Sequence, residues 1–350
     1  MNDVGKTVLL DRMRDDAEAE GIHTPRIEAP ESRSLPAMLA PQLQLALLRL
    51  SRTAKAKDLA IRALRGLAGF AKELKVRFHD IEVGFDYDPE PGLADNGDLE
   101  HDLQSLLEVA GEAAKAGDTA LAMFVDELQY VEEEQLEALI TALHRTAQAQ
   151  LPVVLIGAGL PQLRGLRGRM GRAKSYAERL FDFPVIGPLD ADAARRAILH
   201  PIAAEQVSIE DAGLDRIVAE TQGYPYFLQE WGKHAWDVAA ASPITLHDVG
   251  IASTAAVAAL DESFFRVRFD RLTPSEKRYL RAMAELGAGP HRSGDIAVVL
   301  GKAVNAFAPI RSKLIEKGMI WSPEHGDTAF TVPLFDAFMK RIMPVEEWRA

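Results

Sequence analysis

Residues 120–131 read Ala-Leu-Ala-Met-Phe-Val-Asp-Glu-Leu-Gln-Tyr-Val, an unbroken apolar run that ends in two adjacent carboxylates, Asp126 and Glu127. A short apolar run without alternation predicts a strand that is buried on both faces of a sheet. A lone carboxylate is costly to bury, so acids at the end of such a strand indicate a site. A strand followed by an acidic helix N-terminus is the alternative that this stretch leaves open.

The opening of the chain carries a phosphate-binding signal. Gly5-Lys6-Thr7 precedes three apolar residues and matches the second half of the loop G-x-x-x-x-G-K-[ST]. In such a loop Gly5 lets the backbone close on phosphate, Lys6 reaches the β- and γ-phosphate oxygens of a nucleotide, and Thr7 gives its hydroxyl to Mg²⁺. The helix that follows points its N-terminal amides at the anion.

The two signals are stronger together than either is alone. In nucleotide hydrolases the first acid of such a strand serves the metal and the second takes a proton from the attacking water, roles that fall here to Asp126 and Glu127. The first glycine of the loop and the strand before it would lie ahead of Met1, so we expect the chain to begin inside its own motif. If these 350 residues are the whole protein, we expect its ATP affinity to be strongly reduced.

The composition predicts a globular protein of two or three domains. The chain has 350 residues, is 47% hydrophobic and contains no cysteine, which excludes wholesale disorder, a disulfide framework and a thiolate metal site. No apolar run reaches the roughly 18 residues that span a bilayer and no leader is visible, so we expect a cytoplasmic location.

The net charge is −12, but residues 263–350 carry 14 Lys+Arg against 10 Asp+Glu. This asymmetry suggests a nucleic-acid module at that end, and ordinary surface scatter is the alternative.

Strands that alternate with helices predict an α/β fold with a parallel sheet and a ligand at the carboxyl ends of its strands. Besides the acidic strand, apolar runs predict strands at residues 23–29, 75–85, 151–156 and 181–186.

The last eighty residues predict a separate unit. Helices are expected at 275–286, 293–300 and 304–317, then a hairpin at 319–332 and a closing helix from 334. The sequence Leu-Thr-Pro-Ser-Glu at 272–276 is typical of a capped helix start. Three helices followed by a hairpin is the order of a winged helix-turn-helix. Arg311, Lys313 and Lys317 would lie on the exposed side of its third helix, where they are candidates for contacts with DNA.

Five segments, together with the winged-helix pattern, resemble bacterial AAA+/STAND-type ATPases, and most of all the actinobacterial AAA family ATPases with an origin-recognition-like ATPase domain. The segments are Gly5-Lys6-Thr7, Phe124-Val125-Asp126-Glu127, Gly157-Ala158-Gly159-Leu160-Pro161, Arg179-Leu180-Phe181 and Gly223-Tyr224-Pro225-Tyr226. The resemblance covers nearly the whole chain. It implies a P-loop NTPase core, a helical lid and a C-terminal winged helix-turn-helix, with ATP and Mg²⁺ bound.

The resemblance also implies roles for single residues. Gly223 and Pro225 match the Gly-x-Pro turn of STAND proteins, whose proline packs near the adenine. Arg179 stands where AAA+ proteins place an arginine finger that acts on a neighbouring subunit, with a surface ion pair as the alternative. Two departures favour a slow switch over fast turnover: Gly157 replaces the polar residue that senses γ-phosphate, and Tyr226 replaces a sensor arginine.

The expected domains are an ATPase core at 1–188, a helical lid at 189–262 and a winged-helix domain at 263–350. In this fold the missing first strand would lie between the strands at 151–156 and 181–186. The leading hypothesis is an ATP-dependent switch that binds ATP and ADP, presents its winged helix to double-stranded DNA or to a protein partner, and forms a homo-oligomer if Arg179 acts across subunits. The alternatives are a DNA-binding regulator with a vestigial nucleotide site and a protein-interaction module.

Overall fold

The acidic strand lies in the middle of a parallel sheet. The strand order is β1 (Arg26–Glu28), β2 (Leu121–Asp126) and β3 (Val153–Gly157). Glu28 is in register with Asp126 and Val125 with Gly157, so the carboxyl ends of the strands meet at one edge of the sheet. The computed structural model describes residues 5–29, 34–78, 87–159, 180–324, 326–344 and 348, without the side chains of 74–78.

Among the described residues, five helices accompany this sheet. They are α1 (Lys6–Ala19), α2 (Leu35–Leu50), α3 (Lys57–Phe78), α4 (Leu99–Ala116) and α5 (Glu133–Gln148). Two of them begin at capping side chains: Ser34 accepts from the Ala37 amide at 3.3 Å, and Asp98 accepts from the His101 amide at 3.1 Å. These bonds satisfy amides that have no partner inside the helix.

The two faces of β2 contribute to different cores. Met123 and Val125 belong to a large core built with α2 to α5, whereas Ala122 and Phe124 pack with Leu10 of α1. Successive side chains of a strand point to opposite faces, so both faces of β2 are covered. This double coverage explains why the run has no polar alternation.

One strand prediction is wrong, and another is wrong in its first four residues. Residues 75–78 belong to α3, which continues to Phe78 because the preceding Lys72-Glu73-Leu74 favours helix, and residues 79–86 lie outside the described residues. Residues 181–186 are described and form no strand. Pro184 has no N–H to donate to a ladder, and Val185 is 61% exposed. Among the described residues no strand pairs with the outer edge of β3, where Val154 is 50% exposed.

The contacts divide the chain into two compact units: the first is Lys6–Pro184, and the second is Val185–Ala350, with which Gly5 is also counted. The second unit is mostly helical. Its helices are α6 (Ala191–Ala204), α7 (Asp211–Thr221), α8 (Pro225–Val238), α9 (Leu246–Leu260), a π-helical turn (Asp261–Phe265), α10 (Arg266–Asp270), α11 (Pro274–Glu285), α12 (Ser293–Leu300), a 3₁₀ turn (Val304–Phe307), α13 (Ala308–Glu316) and α14 (Phe335–Ile342).

A small antiparallel sheet completes the second unit. Its strands are β4 (His291–Arg292), β5 (Ile320–Trp321) and β6 (Asp327–Phe330), in the order β4-β6-β5. The predicted cap is confirmed: Thr273 precedes α11, its amide donates to Glu276 at 2.7 Å, and its hydroxyl accepts from the Glu276 amide at 3.4 Å. Such a capping box stabilises the start of the helix.

One aromatic core runs through the second unit. Tyr226 of α8 stacks on Phe264 at 5.0 Å between ring centroids, Phe264 lies 5.2 Å from Phe265, and Phe265 lies 5.3 Å from Phe338 of α14. The residues expected to form a lid and those expected to form a terminal domain therefore share one hydrophobic core. Within the part of the chain that the structure describes, no helix is both long and apolar enough to cross a membrane.

Candidate nucleotide site

The opening Gly-Lys-Thr segment and the acidic strand meet in space. The hydroxyl of Thr7, in the first turn of α1, donates to Oδ2 of Asp126 at 2.5 Å across 119 residues of sequence. Oδ1 of the same carboxylate accepts from the Glu127 amide at 2.8 Å. Asp126 is only 2% exposed and Lys6 is 9% exposed. Gly5, immediately before α1, has φ +82°, a conformation that glycine adopts without strain.

The arrangement has the chemistry of an anion and cation site. A buried ammonium and a helix N-terminus attract phosphate, and a hydroxyl beside a carboxylate oxygen offers hard oxygen ligands to a divalent cation. The described residues contain no group of three or more His, Cys, Asp or Glu side chains arranged to hold a metal ion. A cation here would depend on Asp126, Thr7 and the oxygens of its own substrate, which is how Mg²⁺ is usually bound beside phosphates.

Glu127 stands on a strained turn. Its φ is 55° and ψ 38°, in the left-handed region that residues with a Cβ rarely adopt, and it leads into a 3₁₀ turn at Leu128–Tyr130. The side-chain amide of Gln129 donates to the Glu127 carboxylate. The sequence reasoning missed Gln129, because no periodicity or motif connects residues two apart across a left-handed position.

Leu128 holds this turn against β3. Its amide donates to the Ala158 carbonyl at 3.0 Å, and the Ala158 amide donates to the Val125 carbonyl at 2.8 Å. A Cβ added to Gly157 would overlap Cδ1 of Leu128 and lie 3.4 Å from its Cγ. The glycine that departs from the expected polar sensor therefore has a steric reason in this chain, since the Leu128 side chain occupies the space above it.

The Gly223-Tyr224-Pro225 turn belongs to the second unit. Gln222 and Gly223 both have positive φ, 52° and 69°, and the Gly223 carbonyl accepts from the Leu189 amide at 2.9 Å. A Cβ on Gly223 would overlap the carbonyl oxygen of Leu189. Tyr224 is 1% exposed, and Pro225 is the first residue of α8. Local packing alone requires glycine at this position.

Two of the three residues predicted to contact nucleic acid make internal contacts. Arg311 donates at 2.9 Å to the hydroxyls of Thr328 and Ser322 and to the Asp327 carbonyl. Lys313 is exposed.

Lys317 makes its contact with a buried acid. Its Nζ lies 2.8 Å from Oε2 of Glu276, which is 2% exposed, and also donates to the Arg271 carbonyl at 3.1 Å. Burial works to raise the pKa of Glu276, but the hydrogen bonds from Lys317 and from Thr273 outweigh it and hold that pKa below its ordinary value. Arg179, the expected arginine finger, lies outside the described residues.

Comparisons with known proteins give one partial family match and several fold similarities. Residues 262–339 match a domain family of unknown function, DUF8462. A comparison with curated proteins found no match. The structure is similar to a Walker-type ATPase of Pyrococcus abyssi (TM-score 0.49, 15% identity, 95% of this chain and 94% of that one). It is also similar to Cdc6p of Pyrobaculum aerophilum, with a TM-score of 0.43 and 13% identity over 99% of this chain and 86% of that one. A third similar structure is the RuvB Holliday junction branch migration motor of Thermotoga maritima, with a TM-score of 0.34 and 16% identity over 94% of this chain and 91% of that one. Since every score is below 0.5, these similarities assign no function to this chain.

Proposed function

We propose that this chain is an ATP-binding P-loop ATPase that acts as a slow, nucleotide-dependent switch. The observation that carries the proposal is the 2.5 Å hydrogen bond between Thr7 and Asp126, which joins two distant fragments that the sequence assigns independently to the same nucleotide. The position of Lys6 at the same helix start supports it, because a lysine side chain and the N-terminal amides of a helix both attract phosphate.

The residues present fit Mg²⁺. The Thr7 hydroxyl and the buried Asp126 carboxylate are hard oxygen donors at one point, and they would hold the ion together with phosphate oxygens. When bound, Mg²⁺ supplies charge neutralisation for the phosphoryl oxygens.

The chain's own residues then have separate tasks. Lys6 and the N-terminal amides of α1 bind the phosphates, and Thr7 and Asp126 orient the cation site. Glu127, one residue past the strand, accepts the proton from the attacking water. Gly223 and Pro225 are proposed to contact the adenine, and Arg179 to act on a neighbouring subunit of a homo-oligomer.

The test separates binding from hydrolysis. Titration calorimetry with ATP, in Mg²⁺ and then in EDTA, measures affinity for the wild type, for Lys6→Ala and for the control Lys57→Ala, an exposed lysine of the same unit. We expect Lys6→Ala to weaken binding at least tenfold and Lys57→Ala to leave it unchanged. Glu127→Gln should retain binding and lose about 100-fold or more of the hydrolysis rate, the scale of a lost general base. An unchanged rate in Glu127→Gln would refute the role given to that residue.

For the C-terminal part we propose a winged helix that presents a binding surface to a partner. The internal contacts of Arg311 and Lys317 favour a protein partner over duplex DNA, because cations already paired within the fold are less available to phosphates. Val298 in α12 and Val304 in the 3₁₀ turn before α13 support this preference, because these apolar side chains are 79% and 45% exposed. Duplex binding at low salt with a steep salt dependence would instead favour the DNA-binding regulator.

A further inference from the structure

The turn that carries Glu127 contains a contact that the proposed function does not use. Gln129 donates through Nε2 to Oε2 of Glu127, two residues earlier, and both residues are half-buried. We propose that Gln129 is a positioning residue that holds the Glu127 carboxylate against its own turn and slows hydrolysis until this contact opens. The inference rests on the proposed function, because it concerns the same carboxylate.

The backbone on both sides of the contact is fixed. The Glu127 amide donates to Asp126 at 2.8 Å, the Tyr130 amide donates to the Glu127 carbonyl at 3.0 Å, and the Leu128 amide donates to the Ala158 carbonyl at 3.0 Å. The Leu128 side chain also fills the space over Gly157. Because these bonds hold the turn at each end, the contact opens by rotation of the Glu127 and Gln129 side chains rather than by movement of the main chain.

The left-handed backbone conformation of Glu127 allows its side chain to meet that of Gln129. Glu127 has φ 55° immediately before the 3₁₀ turn, and the side chains of residues 127 and 129 meet across this turn. A residue with a Cβ is strained in this region, and such strain persists only where surrounding contacts compensate for it.

The chemistry of the reaction explains why the contact slows it. A general base must direct a carboxylate oxygen toward the water from which it takes a proton. With Oε2 accepting from Gln129, one of the two carboxylate oxygens is already engaged within the turn. A hydrogen bond to a charged acceptor is stronger than one between neutral groups. Breaking this bond is then part of reaching the transition state, and removing the donor removes that step.

The experiment uses the full chain with Gln129→Leu, which keeps the approximate shape without the donor, and with Gln129→Ala. Gln148→Ala, at an exposed glutamine at the end of α5, is the matched control. Single-turnover hydrolysis with Mg²⁺ and ATP should be about tenfold faster in both Gln129 variants, the scale expected for one hydrogen bond to a charged group. Affinity for Mg²⁺-ATP should stay within about twofold of wild type, and Gln148→Ala should change neither quantity. An equal or slower rate in both variants would overturn the proposal.

A second readout does not depend on turnover. In ¹⁵N-labelled protein the Nε2 signal of Gln129 is identified by its loss in Gln129→Leu. We expect the proton that donates to Glu127 to exchange more slowly with water in the wild type than in Glu127→Ala; equal exchange in both rejects the contact. If the wild type binds no ATP, the proposed function fails and the kinetic role of Gln129 fails with it. If it binds and hydrolyses ATP while the Gln129 variants do not speed up, only the role of Gln129 is rejected.

Discussion

Replacing Gly223 with alanine should destabilise the second unit strongly, whether or not this turn touches nucleotide. Alanine at φ 69° carries the left-handed strain of a Cβ, about 1–2 kcal/mol. The new Cβ would also overlap the Leu189 carbonyl oxygen and lie 3.2 Å from its carbon, and a backbone group cannot turn aside as a side chain can. Overpacking of this kind costs about 1–3 kcal/mol. Together the two effects predict a loss of about 2–5 kcal/mol, which lowers Tm by about 5–15 °C in a unit of this size.

Two alanine variants separate these contributions. Gly301 has φ 65° with no atom within 4 Å of an added Cβ, so Gly301→Ala should cost only the strain, about 1–2 kcal/mol. Gly289 has neither positive φ nor a near neighbour, and Gly289→Ala should stay within about 0.5 kcal/mol. All four tryptophans lie at or beyond residue 231, so urea unfolding followed by tryptophan fluorescence reports on this unit. A Gly223→Ala variant that loses no more than Gly301→Ala would refute the clash with Leu189.

Two further predictions concern the cations expected to contact DNA. Lys317→Met should cost about 1–3 kcal/mol at pH 7, because it leaves the buried Glu276 without its cation. Because the folded protein holds the pKa of Glu276 low, the stabilisation by this pair is present above the ordinary glutamate pKa of about 4.3 and is lost as pH falls through the folded pKa. Urea unfolding should therefore show the stabilities of wild type and Lys317→Met converging in acid. A stability difference that does not depend on pH would argue against the pair. Arg311→Ala removes three internal hydrogen bonds and should cost about 1–3 kcal/mol, whereas Lys313→Ala, at an exposed position, should stay within about 0.5 kcal/mol. Equal losses in these two variants would contradict the structural role of Arg311.

The sequence predicted the parts of the fold that depend on local patterns. The run that ends at Asp126 is a buried strand because both of its faces are covered, and Thr273 caps its helix because the box at 273–276 is complete within four residues. The meeting of Thr7 with Asp126 was predictable as well, because each fragment carries its own chemical signal.

The remaining features depend on contacts that no local pattern encodes. The apolar run at 181–186 is as suitable for a strand as the real ones, but Pro184 interrupts its donors and no described strand pairs with it. The contact between Gln129 and Glu127 requires a left-handed glutamate, which propensity disfavours. Gly157 could be understood only once Leu128 was placed above it.

The ring series from Tyr226 to Phe338 has a mechanical consequence. Close-packed side chains resist compression. The centroids of neighbouring rings in this series lie 5.0–5.3 Å apart, so the rings form a continuous series of contacts between α8 and α14. A conformational change that displaces α8 should therefore displace α14 as well, because the four rings between them are in direct contact.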